Sequence, residues 1–281
     1  MRRSRNIILG TLLLIIAFAA SGDYLSFTGG EFRTAREADR NDAPTWPINP
    51  DFKKDTFVFA RVQYVAIPEK YGPGHTEKEN RWLIDFPLSD LDLSFRLHQM
   101  TSLNVDPDCR VVKIKDKELF DFPFLYIVEP GRGLFTDEEA VILRKYLLNG
   151  GFLMLDDFWG NREWEACYHE IKRVFPDREP VDLPLEHPIF HTVFNLQEKP
   201  QVPGIDHAKM GRTHERGQEG AEVHYRGIFD DKNRLMVLLC HNTDLGDGWE
   251  REGANEEYFR QYSEPKAFPM GINAIVYAMT H

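Results

Sequence analysis

The tightest constraint in this chain is a pair of short, wholly apolar runs. They are Phe-Leu-Tyr-Ile-Val at 124–128 and Phe-Leu-Met-Leu at 152–155, with one helix-length segment between them. Runs this short and this apolar are expected of strands buried on both faces, as in a parallel sheet covered by helices. The segment between them carries its own start and stop signals. Thr136-Asp137-Glu138-Glu139 is a capping box, in which the threonine hydroxyl caps the helix start and Glu139 reaches back. Val141, Ile142, Tyr146 and Leu147 supply an apolar face, and Asn149-Gly150-Gly151 ends the helix because glycine tolerates the left-handed terminal conformation. Strand, helix and strand at this spacing specify a right-handed βαβ crossover with parallel strands.

The flanking chain extends the pattern. Residues 56–66 alternate and are rich in β-formers, which predicts a strand, and 68–80 form a loop around Gly72-Pro73-Gly74. Residues 89–103 read as a helix through Leu91, Phe95, Leu97 and Met100, 111–114 as a short strand, and 163–175 as a helix. The run at 235–240 is a third buried strand, and 269–279 a closing helix. The expected fold is α/β: a doubly wound, mostly parallel sheet sandwiched by helices, in one domain over 56–281. A chain of 281 residues with 42% hydrophobic and 28% charged residues has ample core for this.

The amino terminus reads differently. Arg2, Arg3 and Arg5 precede an uncharged apolar or small-residue run over 7–20, near whose end Ala17-Phe18-Ala19 fits the small-x-small cleavage rule. As a helix the run spans roughly 21 Å at about 1.5 Å per residue, against a hydrocarbon core of about 30 Å. Counting every uncharged residue over 6–22 gives roughly 25 Å. A cleaved signal peptide, a retained signal anchor and a buried amphipathic helix all remain open for 1–22. In the first two the basic end stays inside and the domain is exported: periplasmic or otherwise extracytoplasmic, anchored to the inner membrane if the leader is kept. Residues 23–55, polar and punctuated by Gly29-Gly30, Pro44, Pro47 and Pro50, read as a linker. The partners this implies are a membrane, through an uncleaved leader, and an envelope protein. The net charge is −11, and loss of the three leader arginines, with no acid before Asp23, leaves −14. So acidic a body argues against a nucleic-acid partner. Cys109, Cys167 and Cys240 form no CxxC pair, which argues against a disulfide scaffold or a cysteine zinc site.

From about residue 57 to the end, the chain resembles an uncharacterised bacterial family, domain-of-unknown-function family 4159. The resemblance is carried by RVQY (61–64), MTSLNVDP (100–107), FLYIVEPG (124–131) and LLNGGFLMLDDFWG (147–160). It continues through IKRVFPDREPVDLPLEHPIFHTVF (171–194), DLGDGW (244–249) and MGINAIVYAMT (270–280). That family looks like a member of the class I glutamine-amidotransferase-like superfamily, so the resemblance implies a doubly wound, flavodoxin-like sandwich and an envelope location. It implies no known activity.

In open parallel sheets, sites form at the carboxyl ends of strands. Here those ends offer Glu129 after 124–128, Asp156 and Asp157 after 152–155, and His241 after 235–240. Amidotransferases of the resembled superfamily place a nucleophilic cysteine in a Gly-x-Cys-x-Gly-type elbow. No cysteine here sits in one; Asp156 and Asp157 end the comparable strand, and Cys167 lies well into the next helix. The paired aspartates suit metal ligation or acid–base chemistry, or else one caps the next helix while the other bonds loop amides. His187 and His191, four apart, suit a metal on a helix, but Pro188 favours a structural turn that it opens. The segment 241–249 with Asp244 and Asp247 reads as a polar ligand or metal loop, or as an Asx-turn that packs Trp249. His207, His214 and His224 belong to a charge-rich stretch, 203–224, expected to be a mobile surface loop.

Two functions follow. One is a non-catalytic binding or scaffold module of the envelope, with an amidotransferase-like fold and no nucleophile. The other is a metal-dependent hydrolase using Asp156, Asp157, His241 and Asp244 at the carboxyl edge. Convergence of those four side chains favours the enzyme; scattering or helix capping favours the module. No cofactor is expected for the first; the second needs a divalent metal.

Overall fold

The computed structural model describes residues 32–64, 80–132 and 135–281. The leader and most of the loop at 68–80 therefore lie outside the described residues. Among the described residues, seven strands form one sheet: β1 (Phe57–Val62), β2 (Val105–Val112), β3 (Phe124–Val128), β4 (Phe152–Phe158), β5 (Val181–Asp182), β6 (His224–Phe229) and β7 (Leu235–His241). Their order is β2-β1-β3-β4-β7-β6-β5. The first five in that order run parallel, β6 pairs antiparallel with β7, and β5 pairs antiparallel with β6. The helices are α1 (Leu88–Met100), α2 (Asp137–Leu148), α3 (Gly160–Val174), α4 (Ile205–Lys209), α5 (Leu245–Glu250), α6 (Glu256–Tyr258) and α7 (Phe268–Thr280), with a π-helical stretch, Phe259–Ala267, leading from α6 to α7. No helix among the described residues is long and apolar enough to cross a membrane.

Period-2 geometry splits each buried strand between two cores. Phe124, Tyr126 and Val128 of β3 face one side with Phe152 and Met154 of β4, against Leu93 and Leu97 of α1, Trp249 of α5 and Ile272 and Ile275 of α7. Leu125 and Ile127 face the other side with Leu153 and Leu155, against Leu143 and Leu147 of α2 and Cys167 and Ile171 of α3. Helices therefore cover both faces, as expected of a doubly wound sheet. Strands β3 and β4 pair in parallel from Phe124↔Phe152 to Val128↔Asp156. The capping box between them is complete: Glu139 N donates to Thr136 Oγ1 at 3.2 Å and Thr136 N to Glu139 Oε2 at 2.8 Å.

Four expectations are corrected. The linker is no free tether from Phe32 onward: Phe32 and Ala35 are buried, Thr34 bridges to Arg110, and Trp46 Nε1 donates to the Val105 carbonyl at 2.8 Å. Strand β2 begins at Val105, not 111, because Pro107 is tolerated on the edge strand of a sheet. His224 does not end a mobile loop; it opens β6, which pairs along β7 from His224↔His241. The polar loop after β7 is in fact α5, whose residues 245–249 are all buried.

Candidate functional site

Successive connections leave β1 and β3 toward opposite sides of the sheet, β1 to β2 and β3 to β4, which opens a crevice at their adjacent carboxyl ends. Tyr64, just past β1, donates its hydroxyl to the Val128 carbonyl at 3.0 Å and ties the two ends together. Glu129 follows β3 with φ at 49°, and Arg81 grips both its carboxylate oxygens.

The neighbouring strand supplies the centre. Pairing of β4 with β7 shifts register between Leu155 and Phe158, so β4 bulges at Asp156-Asp157, and Asp157 takes φ of 56°. A bulge of this kind re-aims side chains, and aspartate is among the few residues that tolerate the left-handed region. Asp156 is fully buried. Its Oδ2 accepts from the Tyr126 hydroxyl and from Gly246 N, both at 3.0 Å, while its Oδ1 has no hydrogen-bond partner. Burial pushes its pKa up to about 7, against the pull of the Tyr126 hydroxyl and of the backbone amides of Gly246, Asp157 and Leu245. Asp157 accepts from Trp159 Nε1 at 3.0 Å. Its carboxyl is held well above the usual range, first by burial and then by the charges of Glu129, Asp85, Glu215 and Asp156.

Helix α5 adds a second carboxylate layer. Asp244 caps it by accepting from Asp247 N at 2.8 Å. Its pKa is raised by burial and then by Asp157, Asp85, Asp247 and Asp156. Asp247 accepts from Ile205 N and, at 2.7 Å, from Arg251 Nε. One oxygen each of Asp85, Asp247 and Glu250 lies within 4.8 Å of the other two. Burial, followed by Glu250 and Asp247, holds Asp85 well above its ordinary value, and burial lifts Glu250 to about 7. Gly246 makes this proximity attainable: a Cβ there would stand 2.6 Å from Asp85 Oδ2 and 2.9 Å from the Tyr126 hydroxyl.

Of the residues singled out from sequence, the fold brings Asp156, Asp157, Asp244 and Asp247 to one edge, with Glu129 at its rim. It takes the three histidines away. His241 turns to the α3 face, where Nε2 lies 3.0 Å from the Gly160 carbonyl and Nδ1 accepts from Arg226 at 3.1 Å. The ring stacks on Phe158 and His224, and burial pushes its pKa down to about 4. His187 accepts from Ile189 N and caps the short turn Pro188–Phe190, while His191 binds Asn195 and the Leu185 carbonyl, so the pair is structural. Neither aspartate of β4 caps α3; Glu163 reaches back to Trp159 N at 2.8 Å instead. Sequence reasoning missed Asp85 and Glu250. Glu250 was within reach, since an α5 helix would have put Asp247 and Glu250 three apart on one face.

Chemically, the edge is rich in oxygen ligands and in acids whose protons are held up to neutral pH. It contains no thiol. Cys109, Cys167 and Cys240 are fully buried, and desolvation raises the pKa of each, the opposite of a reactive cysteine's setting. No curated protein matches the sequence. The model of the family described as domain of unknown function (DUF4159) matches residues 58–279, and the chain belongs to that family.

Proposed function

We propose that this chain is an exported domain of the cell envelope that works as a non-catalytic binding or scaffold module, with its recognition centre at the acidic carboxyl edge. The carrying observation is the elbow of β4. An amidotransferase-like sandwich would put its nucleophile there, and this one puts Asp157, at positive φ and among other carboxylates. The remaining acids are already engaged: Glu129 by Arg81, Asp244 as a helix cap, Asp247 by Arg251 and the Ile205 amide. With His241 turned away, the quartet expected of a hydrolase does not assemble. An edge of this charge suits a cationic ligand. Export is supported by the basic-then-apolar leader.

The second reading, a metal-dependent hydrolase, is favoured by one observation: acids with pKa near neutrality, such as Asp156, suit general acid–base work. Two measurements separate the readings. An alkaline phosphatase fused after residue 281 should be active in bacterial cells and silent once 1–22 are deleted; activity without the leader overturns export. Purified chain should turn over no chromogenic amide, ester or phosphoester. Turnover that disappears in Asp157→Asn overturns the binding reading.

A further inference from the structure

We propose that Asp85, Asp247 and Glu250 form a binding site for one hard divalent cation. Their oxygens come from two separate elements, the loop before α1 and the third and last residues of α5, and meet within 4.8 Å. Acidic proximity alone is common, but here two neighbouring buried oxygens also lack a partner. Asp85 Oδ2 is shut off from solvent without a hydrogen bond, and so is Oδ1 of the fully buried Asp156, whose carboxylate shares the Tyr126–Gly246 wall with Asp85, whereas Glu250 and Asp247 meet Arg251. Buried acceptors left unsatisfied are costly, and repeated orphans in one place mark a missing charge or donor.

The sign and size of that charge follow. When ionised, the triad carries −3, and Arg251, 2.7 Å from Asp247 Oδ1 and 2.9 Å from Glu250 Oε2, returns +1. A divalent ion would neutralise the remainder. An all-oxygen donor set selects calcium, magnesium or manganese over zinc or copper. The site is held open in advance. Arg61 fixes the carbonyls of Trp82 and Ile84 at 3.0 and 2.8 Å, which presents Asp85 at φ of 61°, and Gly246 leaves the space that any side chain would fill. The competing account is that Asp85 and Glu250 simply share protons.

This inference rests on reading the carboxyl edge as a recognition centre, yet it fails separately. Turnover lost in Asp157→Asn sinks the non-catalytic reading, whereas absence of ion binding sinks this one. The test uses the full chain, stripped with EDTA and titrated with calcium, magnesium and manganese by calorimetry. Terbium luminescence, sensitised through Trp249 and Tyr126, serves as a second probe. One site should saturate, with affinity rising from pH 6 to pH 8 as the carboxyls lose their protons. Asp85→Asn should weaken binding at least roughly tenfold, because affinity follows ligand charge. Arg251→Gln should tighten it, since the competing cation is gone; a purely structural cluster would show no such gain. Circular dichroism reports whether each variant folds, and if Asp85→Asn does not, Glu250→Gln and Arg251→Gln decide. No saturable binding at pH 8, or Asp85→Asn or Glu250→Gln binding as wild type does, overturns the site.

Discussion

Arg61 lies fully buried in β1, and each guanidinium N–H has a receiver. Nε and one terminal nitrogen grip Asp90, the same terminal nitrogen reaches Ser89 Oγ at 2.8 Å, and the other holds the carbonyls of Trp82 and Ile84. The Tyr126 ring lies 5.0 Å from its Cζ. A buried pair of this kind is strongly coupled: deleting one partner leaves the other charged and desolvated. Arg61→Met should therefore destabilise the chain by about 3–5 kcal/mol in urea unfolding. The double variant Arg61→Met/Asp90→Leu should recover part of that loss, and Arg61→Lys should not, because lysine lacks the planar fork. Equal losses in the single and double variants would show that the pair contributes nothing as a pair. The sequence hides this residue. In an alternating strand a polar position is read as facing water, but β1 is covered on both faces.

At the scale of elements, α2 is the best-specified piece of the molecule. Its box, its apolar face and its glycine stop are all local, and each was legible before any tertiary contact was known. Thr136→Ala should cost about 1 kcal/mol by the same urea measurement, and Thr136→Ser should cost little, since serine caps as well; an alanine variant as stable as wild type would mean that the tertiary packing of α2, not its cap, fixes the helix start. Elements that escaped the sequence lack local signals. Helix α5 contains two glycines, poor helix formers, and exists because Trp249 is buried with its Nε1 donating to the Ala267 carbonyl at 2.8 Å. Strand β6 carries His224, Arg226 and Gly227, and it is a strand because β7 offers it an antiparallel ladder, in register from His224 to Ile228. The candidate site was half legible for the same reason. Asp156, Asp157, Asp244 and Asp247 follow hydrophobic strands in sequence, while Asp85 joins them only through a loop that Arg61 fixes in space.

For the whole molecule, closure of the sheet edge matters first. Strand β2 is outermost, and the segment assigned to a linker covers it: Val111 N donates to the Arg33 carbonyl at 2.9 Å, and Thr34 bridges Arg110. Uncovered edges pair with other chains. A chain beginning at residue 56 should therefore self-associate in light scattering, whereas one beginning at residue 32 should stay monodisperse; identical behaviour would return 32–55 to the status of a tether. The acid cluster has a global consequence as well. Asp85, Asp156, Asp157, Asp244 and Glu250 all have folded-state pKa values above their unfolded ones, with Asp156 and Glu250 at about 7. The folded state thus holds these protons more tightly than the unfolded chain does. The contribution of Asp156 and Glu250 is fully present below about pH 4 and is lost as pH rises through about 7. His241, whose pKa falls to about 4, works in the opposite direction below pH 6.5. Comparison with Asp156→Asn removes that interference, because the variant retains His241. Asparagine cannot ionise, so the metal-free variant should gain roughly 2–4 kcal/mol relative to wild type between pH 4 and pH 8, read as the difference between two urea-unfolding pH profiles. Parallel profiles would mean that Asp156 is ionised throughout and that its charge is met by a partner in the folded state.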